Sequence, residues 1–133
     1  VLNANYIKEN LKEYYNLPFD RNCMHEVVFS ATKHKDKGVN GLSISKRLLD
    51  YGFHAPTMYF PLTVDEALLI EPTETESKET LDLFIETMKS IDQEAQSQPD
   101  LVHDAPHNTP SRRLDEAKAA REPDLRWSRP EEP

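Results

Sequence analysis

The chain has 133 residues, 37% of them hydrophobic, and this length accommodates one compact domain with a modest core. Its formal net charge is −8, from 24 acidic and 16 basic side chains, and this sign argues against the class of proteins that neutralise nucleic-acid phosphates. No apolar stretch approaches the roughly 20 residues that a membrane-spanning helix needs. We therefore expect a soluble protein that binds neither nucleic acid nor a membrane.

Cysteine usage and the first residues bear on the cellular compartment. Cys23 is the single cysteine, which excludes an intrachain disulfide and a multi-cysteine zinc site and is compatible with a reducing compartment. We accordingly expect a cytoplasmic protein. The sequence begins at Val1 and lacks the charged and apolar regions of a signal peptide, a start that we interpret as a cut within a longer protein.

The first part of the chain predicts a helix followed by a strand. From Asn5 to Leu17, apolar residues recur at spacings of three and four, which places them on one helical face, and Pro18 ends the helix. Residues 23–29 include β-branched and aromatic side chains without glycine or proline, a composition typical of a half-buried strand. The basic stretch 33–37 predicts a solvated loop.

The middle of the chain predicts a second helix and a pair of strands. Residues 42–51 place apolar side chains on one face, and Gly52 suits the left-handed residue that closes a helix. Two short extended runs follow at residues 57–60 and 67–71, separated by Pro61 and a polar loop. We interpret these runs as two paired strands.

The clearest helix is predicted after Pro72. Thr73 and Glu76 have the spacing of a capping box, which indicates that the helix starts here. An amphipathic stripe then runs to about Gln98, before Pro99. The stripe consists of Leu81, Phe84, Ile85, Met88, Ile91 and Ala95.

Beyond the third helix the composition changes, since six of the ten prolines lie between residues 99 and 133. We expect this proline-rich tail, with one short helix at about 111–121, to bury little by itself and to wrap over another surface. Its candidate anchors are Leu114, Leu125 and Trp127. We therefore divide the chain into a small domain, residues 1–98, and a tail, residues 99–133.

The order of the predicted elements defines the fold class. A leading helix precedes a strand, a helix, two strands and a last helix. This βαββα order predicts an α+β domain of two layers, in which helices cover a small sheet.

The polar residues offer few catalytic patterns. The five histidines are scattered without the HExxH spacing that places two ligands on one helical face, so we predict no metal site. His25 and Glu26 are adjacent on the predicted strand, where neighbouring side chains point to opposite faces, which favours a structural role. His54 lies in a turn, where its ring either bonds loop carbonyls or reaches a neighbouring site. Cys23 lacks an activating pattern and suits a small buried position.

Four glutamates close in sequence allow two interpretations. Glu71, Glu74, Glu76 and Glu79 could hold a hard cation or form a proton-transfer pair. Helix capping and a solvated first turn explain the same residues, because carboxylates are favoured near a helix N-terminus. The chain has only three glycines and no glycine-rich loop, so nucleotide binding is not supported.

Three stretches resemble a known family in order and spacing. They are residues 23–30 (CMHEVVFS), 48–57 (LLDYGFHAPT) and 70–78 (IEPTETESK). Together they are similar to the C-terminal end of the glycine decarboxylases, the P-proteins of the glycine cleavage system. Residues 59–62 and 113–121 look like the second subunit of the two-subunit bacterial form, so the resemblance covers nearly the whole chain.

The resemblance implies a fold-type I enzyme dependent on pyridoxal phosphate (PLP), in which this region is the small C-terminal domain. In that family glycine loses its carboxylate as carbon dioxide, and the remaining aminomethyl group passes to the lipoyl arm of the H-protein, with PLP as electron sink. The cofactor lysine belongs to the preceding large domain, and no lysine of this chain lies in a matching motif. The implied partners are the upstream PLP domain, P-protein subunit 1 and the lipoylated H-protein, and we expect the isolated fragment to be inactive.

The matched motifs nominate residues for the glycine pocket, the lipoyl entrance or the domain interface, with polar positioning or loop support as their implied role. They are His25, Glu26, His54, Thr57, Thr73 and Glu76. Many small domains of this fold type supply an arginine to the substrate carboxylate, yet no arginine lies between Arg47 and Arg112, which puts that contribution in doubt. The alternative is a free-standing α+β interaction or regulatory module, which would have no reason to carry these motifs.

Overall fold

The computed structural model describes residues 1–127, which form a three-stranded sheet covered by helices. The α-helices are α1 (Leu2–Leu11), α2 (Gly41–Asp50), α3 (Lys78–Ser97), α4 (Pro99–His103) and α5 (Glu116–Arg121). The strands are β1 (Val27–Ser30), β2 (Thr57–Met58) and β3 (Ala67–Ile70), and a 3₁₀ helix covers Ala31–Lys37. The predicted α+β class and the βαββα order with a leading helix are confirmed.

The sheet is antiparallel, with β3 as its central strand. Val27 of β1 pairs with Ile70 of β3, and Thr57 of β2 pairs with Leu69 of β3. All four residues of β3 are buried because this strand lies between the other two. The two ends of β3, at Ala67 and Ile70, therefore mark two ends of the sheet.

The hydrophobic core lies between the sheet and helices α1, α2 and α3. The predicted stripe of α3 is buried in it, except that Phe84 is half-buried at its edge. Each large apolar side chain that is fully buried contributes about 1.5–3 kcal/mol. These side chains include Ile7, Leu11, Phe29, Ile44, Leu48, Leu68, Met88 and Ile91.

Helix α1 ends six residues before its predicted end at Leu17. After Leu11 the chain turns so that Tyr15 is buried, and its hydroxyl donates a hydrogen bond of 2.8 Å to the Met88 carbonyl oxygen. The apolar spacing of Tyr14 and Tyr15 therefore reflects packing after a turn and not a continued helix.

Strand β1 begins at Val27, four residues after the predicted start. The backbone of Cys23 is bonded to a side chain instead of a neighbouring strand: Asn5 donates to its carbonyl and accepts from its N–H, both at 2.9 Å. Cys23 itself is half-buried against the edge of the core, so it is less enclosed than predicted.

The basic stretch 33–37 is part of the 3₁₀ helix and not a loop. The cause is His34, whose ring is buried and whose Nε2 lies 2.7 Å from Asp92 Oδ1 on α3. The lysines that surround this histidine in sequence gave no sign that it faces the interior.

Helix α2 agrees with its predicted bounds within one residue. The Asn40 side chain accepts a hydrogen bond from the Ser43 N–H at its start, and Gly52 follows its end with the predicted left-handed φ of 81°. Arg47 donates two hydrogen bonds of 2.9 Å to the Glu94 carboxylate on α3. This bidentate pair fixes α2 against α3.

Helix α3 begins later than predicted, and the capping box at Thr73 is wrong. The Thr73 hydroxyl bonds the Thr75 hydroxyl at 2.8 Å within the preceding loop. Ser77 caps the helix instead, because its Oγ accepts a hydrogen bond of 3.2 Å from the Thr80 N–H. The predicted end of α3 is confirmed within one residue at Ser97.

Strand β2 is shorter than the predicted run 57–60. Tyr59 adopts a left-handed φ of 57°, which turns the chain away from the sheet, although its N–H still donates to the Ala67 carbonyl at 2.9 Å. Such a conformation is uncommon for a bulky residue and costs about 1–3 kcal/mol.

The first part of the predicted tail buries more than the sequence indicated. Val102 and Ala105 are fully buried, and the backbone amides of His107 and Asn108 donate to Asp50 Oδ1 at 2.6 and 2.7 Å. Isolated apolar residues between prolines carry no periodicity that would reveal this packing. The division of the chain at residue 98 stays a prediction.

Residues 111–127 are exposed throughout, including the anchors Leu114, Leu125 and Trp127. Helix α5 is shorter than the predicted helix 111–121. The last part of the predicted tail, from 128 to 133, lies outside the described residues. Within residues 1–127, no helix is both long and apolar enough to cross a membrane.

Candidate functional site

A cleft of about 400 Å³ opens at the Ile70 end of β3. Its walls come from α1, the loop between α2 and β2, the residues after β3, and the start of α3. The lining residues are Ile7, Gly52, Phe53, His54, Ala55, Pro56, Thr57, Leu69, Ile70, Glu71, Pro72, Glu76, Thr80, Leu81 and Phe84.

The loop after α2 positions His54 and Thr57 in this cleft. Gly52 reverses the chain in the left-handed region, where a side chain would be strained. Phe53 then packs its ring edge-on against Phe84 of α3, with ring centroids 5.3 Å apart. This contact anchors the loop on the hydrophobic core and leaves His54 and Thr57 exposed at the cleft.

Three of the six nominated residues, His54, Thr57 and Glu76, line the cleft together. Their side chains are exposed and make no hydrogen bond within residues 1–127, so they are available to a ligand or to another part of a larger protein. Thr73 does not line the cleft, and its carbonyl accepts a hydrogen bond of 2.8 Å from Asn3. Thr73 thus joins the loop before α3 to α1.

His25 and Glu26 lie beside the cleft and not within it. The prediction that they point to opposite faces of a strand is wrong, because both precede β1. His25 Nε2 lies 3.6 Å from Glu26 Oε2 and 3.8 Å from Glu71 Oε1. Glu71 also lines the cleft, so this single carboxylate connects both groups of nominated residues.

The group of His25, Glu26 and Glu71 has the residue types of a cation site. One ligand atom of each lies within 4.8 Å of the others. The side chains of His25 and Glu71 are 72% and 57% exposed, an arrangement also typical of solvated surface charges. The prediction of no metal site is not tested by this geometry.

Glu71 is the residue whose position sequence reasoning missed. Capping of α3 was one explanation for it, but it lies seven residues before the helix starts. Glu26 directly precedes β1 and Glu71 directly follows β3, so the antiparallel pairing of these strands brings both carboxylates to one end of the sheet, with His25 alongside. The sequence did contain one signal for this position, since Glu71 belongs to a matched motif and directly follows a run of apolar residues.

The cleft is acidic. Glu71 and Glu76 are the charged residues that line it, and neither lysine nor arginine does so within residues 1–127. A carboxylate-rich rim favours a cationic group over an anion. The apolar wall of Phe53, Leu81 and Phe84 can accept a hydrocarbon chain.

The buried lysine of residues 1–127 is Lys8, which lies on α1. Its Nζ lies 2.9 Å from Glu9 Oε1 and 3.4 Å from Asp20 Oδ1. The hydrogen bond to Glu9 outweighs the effect of burial and raises the pKa of Lys8 above its usual value. A lysine that forms a Schiff base needs a lowered pKa, so Lys8 has a structural environment.

Fold and cleft together define a small two-layer α+β domain with an open, acidic cleft at one end of its sheet. Comparison with known proteins places this domain in a family. A sequence profile described as "Glycine dehydrogenase, C-terminal domain" matches residues 1–112. The chain belongs to the glycine dehydrogenase C-terminal domain family.

Similar proteins extend the comparison beyond residue 112. The chain is 59% identical over 129 residues to the "Probable glycine dehydrogenase (decarboxylating) subunit 2" of Caldanaerobacter subterraneus subsp. tengcongensis, covering 97% of this chain and 27% of that protein. The proteins of the same name from Bacillus licheniformis and Bacillus velezensis are 58% and 57% identical over 129 residues. These alignments cover 97% of this chain and 27% and 26% of the two proteins. The chain thus spans about a quarter of the length of the curated relatives it matches.

Proposed function

We propose that this chain is the C-terminal part of a glycine decarboxylase subunit that removes the carboxylate of glycine and passes the aminomethyl group to the lipoyl arm of an H-protein. The family match over residues 1–112 carries this proposal. Relatives at 57–59% identity, named for glycine decarboxylation, support it.

The cofactor of the proposed enzyme is PLP, which withdraws electrons from the substrate when it is bound. The cleft of this chain does not fit its phosphate, because Glu71 and Glu76 would repel that group and no lysine or arginine lines the cleft. We therefore assign PLP to the upstream domain of the longer protein. The 133-residue chain is proposed to be inactive by itself.

The proposed role of this chain is to complete the site from one side. The carboxylates of Glu71 and Glu76 suit an ammonium group, and the wall formed by Phe53 and Phe84 suits a hydrocarbon arm. We assign polar positioning or loop support at the glycine pocket, the lipoyl entrance or the domain interface to the six nominated residues. They are His25, Glu26, His54, Thr57, Thr73 and Glu76.

The proposed partners are the upstream PLP domain, a companion subunit 1 and the lipoylated H-protein, in the cytoplasm. The subunit 2 name of the relatives supports a companion subunit. The cleft supports contact with other protein surfaces, because its side chains at His54, Thr57 and Glu76 are unengaged within residues 1–127.

Visible absorbance of protein-bound PLP tests whether the cofactor is bound by the upstream domain and not by this chain. The 133-residue chain and the whole subunit are each mixed with PLP and subunit 1, and release of carbon dioxide from carboxyl-labelled glycine is followed with lipoylated H-protein. We expect cofactor binding and release of carbon dioxide only with the whole subunit. Stoichiometric PLP binding by the 133 residues alone would show that the cofactor assignment is wrong.

A matched pair of glutamate variants tests the cleft. In the whole subunit, Glu76→Gln removes a charge that lines the cleft, whereas Glu74→Gln removes one close in sequence that does not. We expect kcat/KM for glycine or for the H-protein to fall about tenfold in the first variant and by less than about twofold in the second. Equal kinetic constants in both variants would exclude the cleft from the reaction.

A further inference from the structure

A second group of exposed side chains lies at the Ala67 end of β3, away from the cleft. Tyr59 follows the edge strand β2, and the loop after it presents Phe60 at 56% and Leu62 at 90% exposure. Large apolar side chains gathered at one place on a surface are typical of an interaction site.

The tail brings another apolar side chain to this region. Arg113 donates hydrogen bonds to the Ser43 hydroxyl at 2.9 Å and to the Ala105 carbonyl at 3.1 Å, which holds it at the start of α2. Leu114, the next residue, is 70% exposed. The tail is therefore anchored up to the residue before this leucine.

The start of α2 connects the loop with the tail. The Tyr59 N–H donates to the Ala67 carbonyl at 2.9 Å, and Glu66, the residue before Ala67, accepts a hydrogen bond of 2.8 Å from the Gly41 N–H. Arg113 of the tail bonds Ser43 in the same turn of α2. Tyr59 and the anchored part of the tail therefore lie near the same end of α2, although they are more than fifty residues apart in sequence.

The backbone of Tyr59, beside this surface, adopts a strained conformation. Its φ of 57° is uncommon for an aromatic residue, and the hydrogen bond from its N–H to Ala67 holds it there. Strained residues of this kind occur preferentially where a side chain is presented for function. The conformation directs the residues that follow, Phe60 and Leu62, away from the sheet.

The position of this surface argues against contact with the preceding part of the same subunit. Upstream residues of the proposed longer protein join at Val1, and α1 is bonded through Asn3 to Thr73, close to the cleft. The strand β3 separates this end from the Ala67 end of the sheet. In the proposed longer protein, the segment that precedes Val1 therefore enters at the cleft end.

We propose that Tyr59, Phe60, Leu62 and Leu114, here called the distal surface, bind an apolar patch on the companion subunit of the two-subunit enzyme. This inference rests on the proposed function, since the companion is implied by the subunit 2 name of the relatives. Arg113, the residue before Leu114, borders the distal surface and provides a polar contact at its rim.

Charge substitutions in the whole subunit test the distal surface. Leu62→Asp and, separately, Leu114→Asp place a carboxylate in the proposed contact. The control is Leu83→Asp, which introduces the same charge outside the distal surface, at a leucine of α3 that is 61% exposed. Association with subunit 1 is measured by sedimentation velocity over a range of concentrations. We expect each of the first two variants to weaken association at least about tenfold and the control to stay within about twofold.

Thermal unfolding of each subunit variant alone separates association from folding. Leu114 follows the last anchored residue, so Leu114→Asp leaves the fold intact even if Leu62→Asp disturbs it. Unchanged association in Leu114→Asp and Leu62→Asp would overturn the proposal. A lower melting temperature of the subunit alone, with unchanged association, would assign the surface to an intramolecular contact and also overturn it.

Measuring the release of carbon dioxide from glycine separates failure of the proposed interface from failure of the proposed function. If the unaltered subunits associate through the distal surface but release no carbon dioxide from glycine, the interface stands and the proposed function is wrong. If they are active while the variants associate normally, the function stands and the interface is wrong.

Discussion

The side-chain carboxylate of Asp50, at the end of α2, bonds the tail to this helix. Its Oδ1 accepts the backbone amides of His107 and Asn108, and its Oδ2 accepts a hydrogen bond of 2.9 Å from Arg47. Burial alone would raise the pKa of Asp50, but these hydrogen bonds outweigh it and leave the pKa below its usual value. The ionised form is therefore the one that the folded state stabilises.

The Asp50 contacts predict a specific pH dependence. Because the folded-state pKa is lowered, the stabilisation is complete above the unfolded value of 3.8 and is lost as the pH falls toward the folded value. We expect Asp50→Ala to lower the free energy of unfolding by about 2–3 kcal/mol at neutral pH, and the difference from the unaltered chain to shrink below about pH 4. Urea unfolding across this pH range measures it.

Asp36 provides the control for Asp50. It is exposed on the 3₁₀ helix, and we expect Asp36→Ala to change stability by less than about 0.5 kcal/mol. A loss at Asp50 that stays constant down to strong acid would show that its charge is not what holds the tail.

The sequence offers two residues that could cap the start of helix α3, Ser77 and Thr73. Ser77 accepts the Thr80 N–H, whereas the Thr73 hydroxyl bonds only within the preceding loop. We expect Ser77→Ala to cost about 1 kcal/mol because an unpaired N–H is left at the helix start, and Thr73→Ala to cost less than about 0.5 kcal/mol. Thermal unfolding of both variants measures this, and the reverse order of stabilities would restore the predicted capping box.

Elements with strong local periodicity were predicted well, and elements that depend on packing were not. The bounds of α2 and the end of α3 agree with prediction because the spacing of apolar residues and Gly52 act within one helix. The 3₁₀ helix was missed because it is stabilised by the contact of His34 with Asp92, 58 residues away.

For the whole molecule, the packing of residues 99–113 predicts where the chain can be shortened. Truncation after residue 98 removes the buried Val102 and Ala105 and leaves Asp50 without two donors, so we expect a loss of about 3 kcal/mol or more. Truncation after residue 113 removes only exposed residues and is expected to change stability by less than about 0.5 kcal/mol.

Urea unfolding of the two truncated chains checks this boundary, and limited proteolysis of the full chain checks it independently. The first cleavage sites are expected beyond Arg113. Rapid cleavage between residues 99 and 107, or equal stability of both truncated chains, would support the predicted boundary at residue 98.

The candidate site was predictable only as a set of motif residues. Local motifs nominated His54, Thr57 and Glu76, which the fold brings to one cleft. Glu71 connects them with His25 only through the pairing of β1 and β3, which no local pattern displays. The roles of these residues in the reaction stay predictions.

Patterns in the amino-acid sequence were sufficient to predict the class of the fold, the family, and the helices whose apolar spacing is local. Packing in three dimensions was needed to show that Glu71 joins two groups of polar residues, that residues 99–113 pack on the domain, and that Tyr59 and Leu114 lie near the same end of α2. The cause is distance along the chain: Asp50 and His107 are 57 residues apart, and their hydrogen bond exists only once both have been placed by the core.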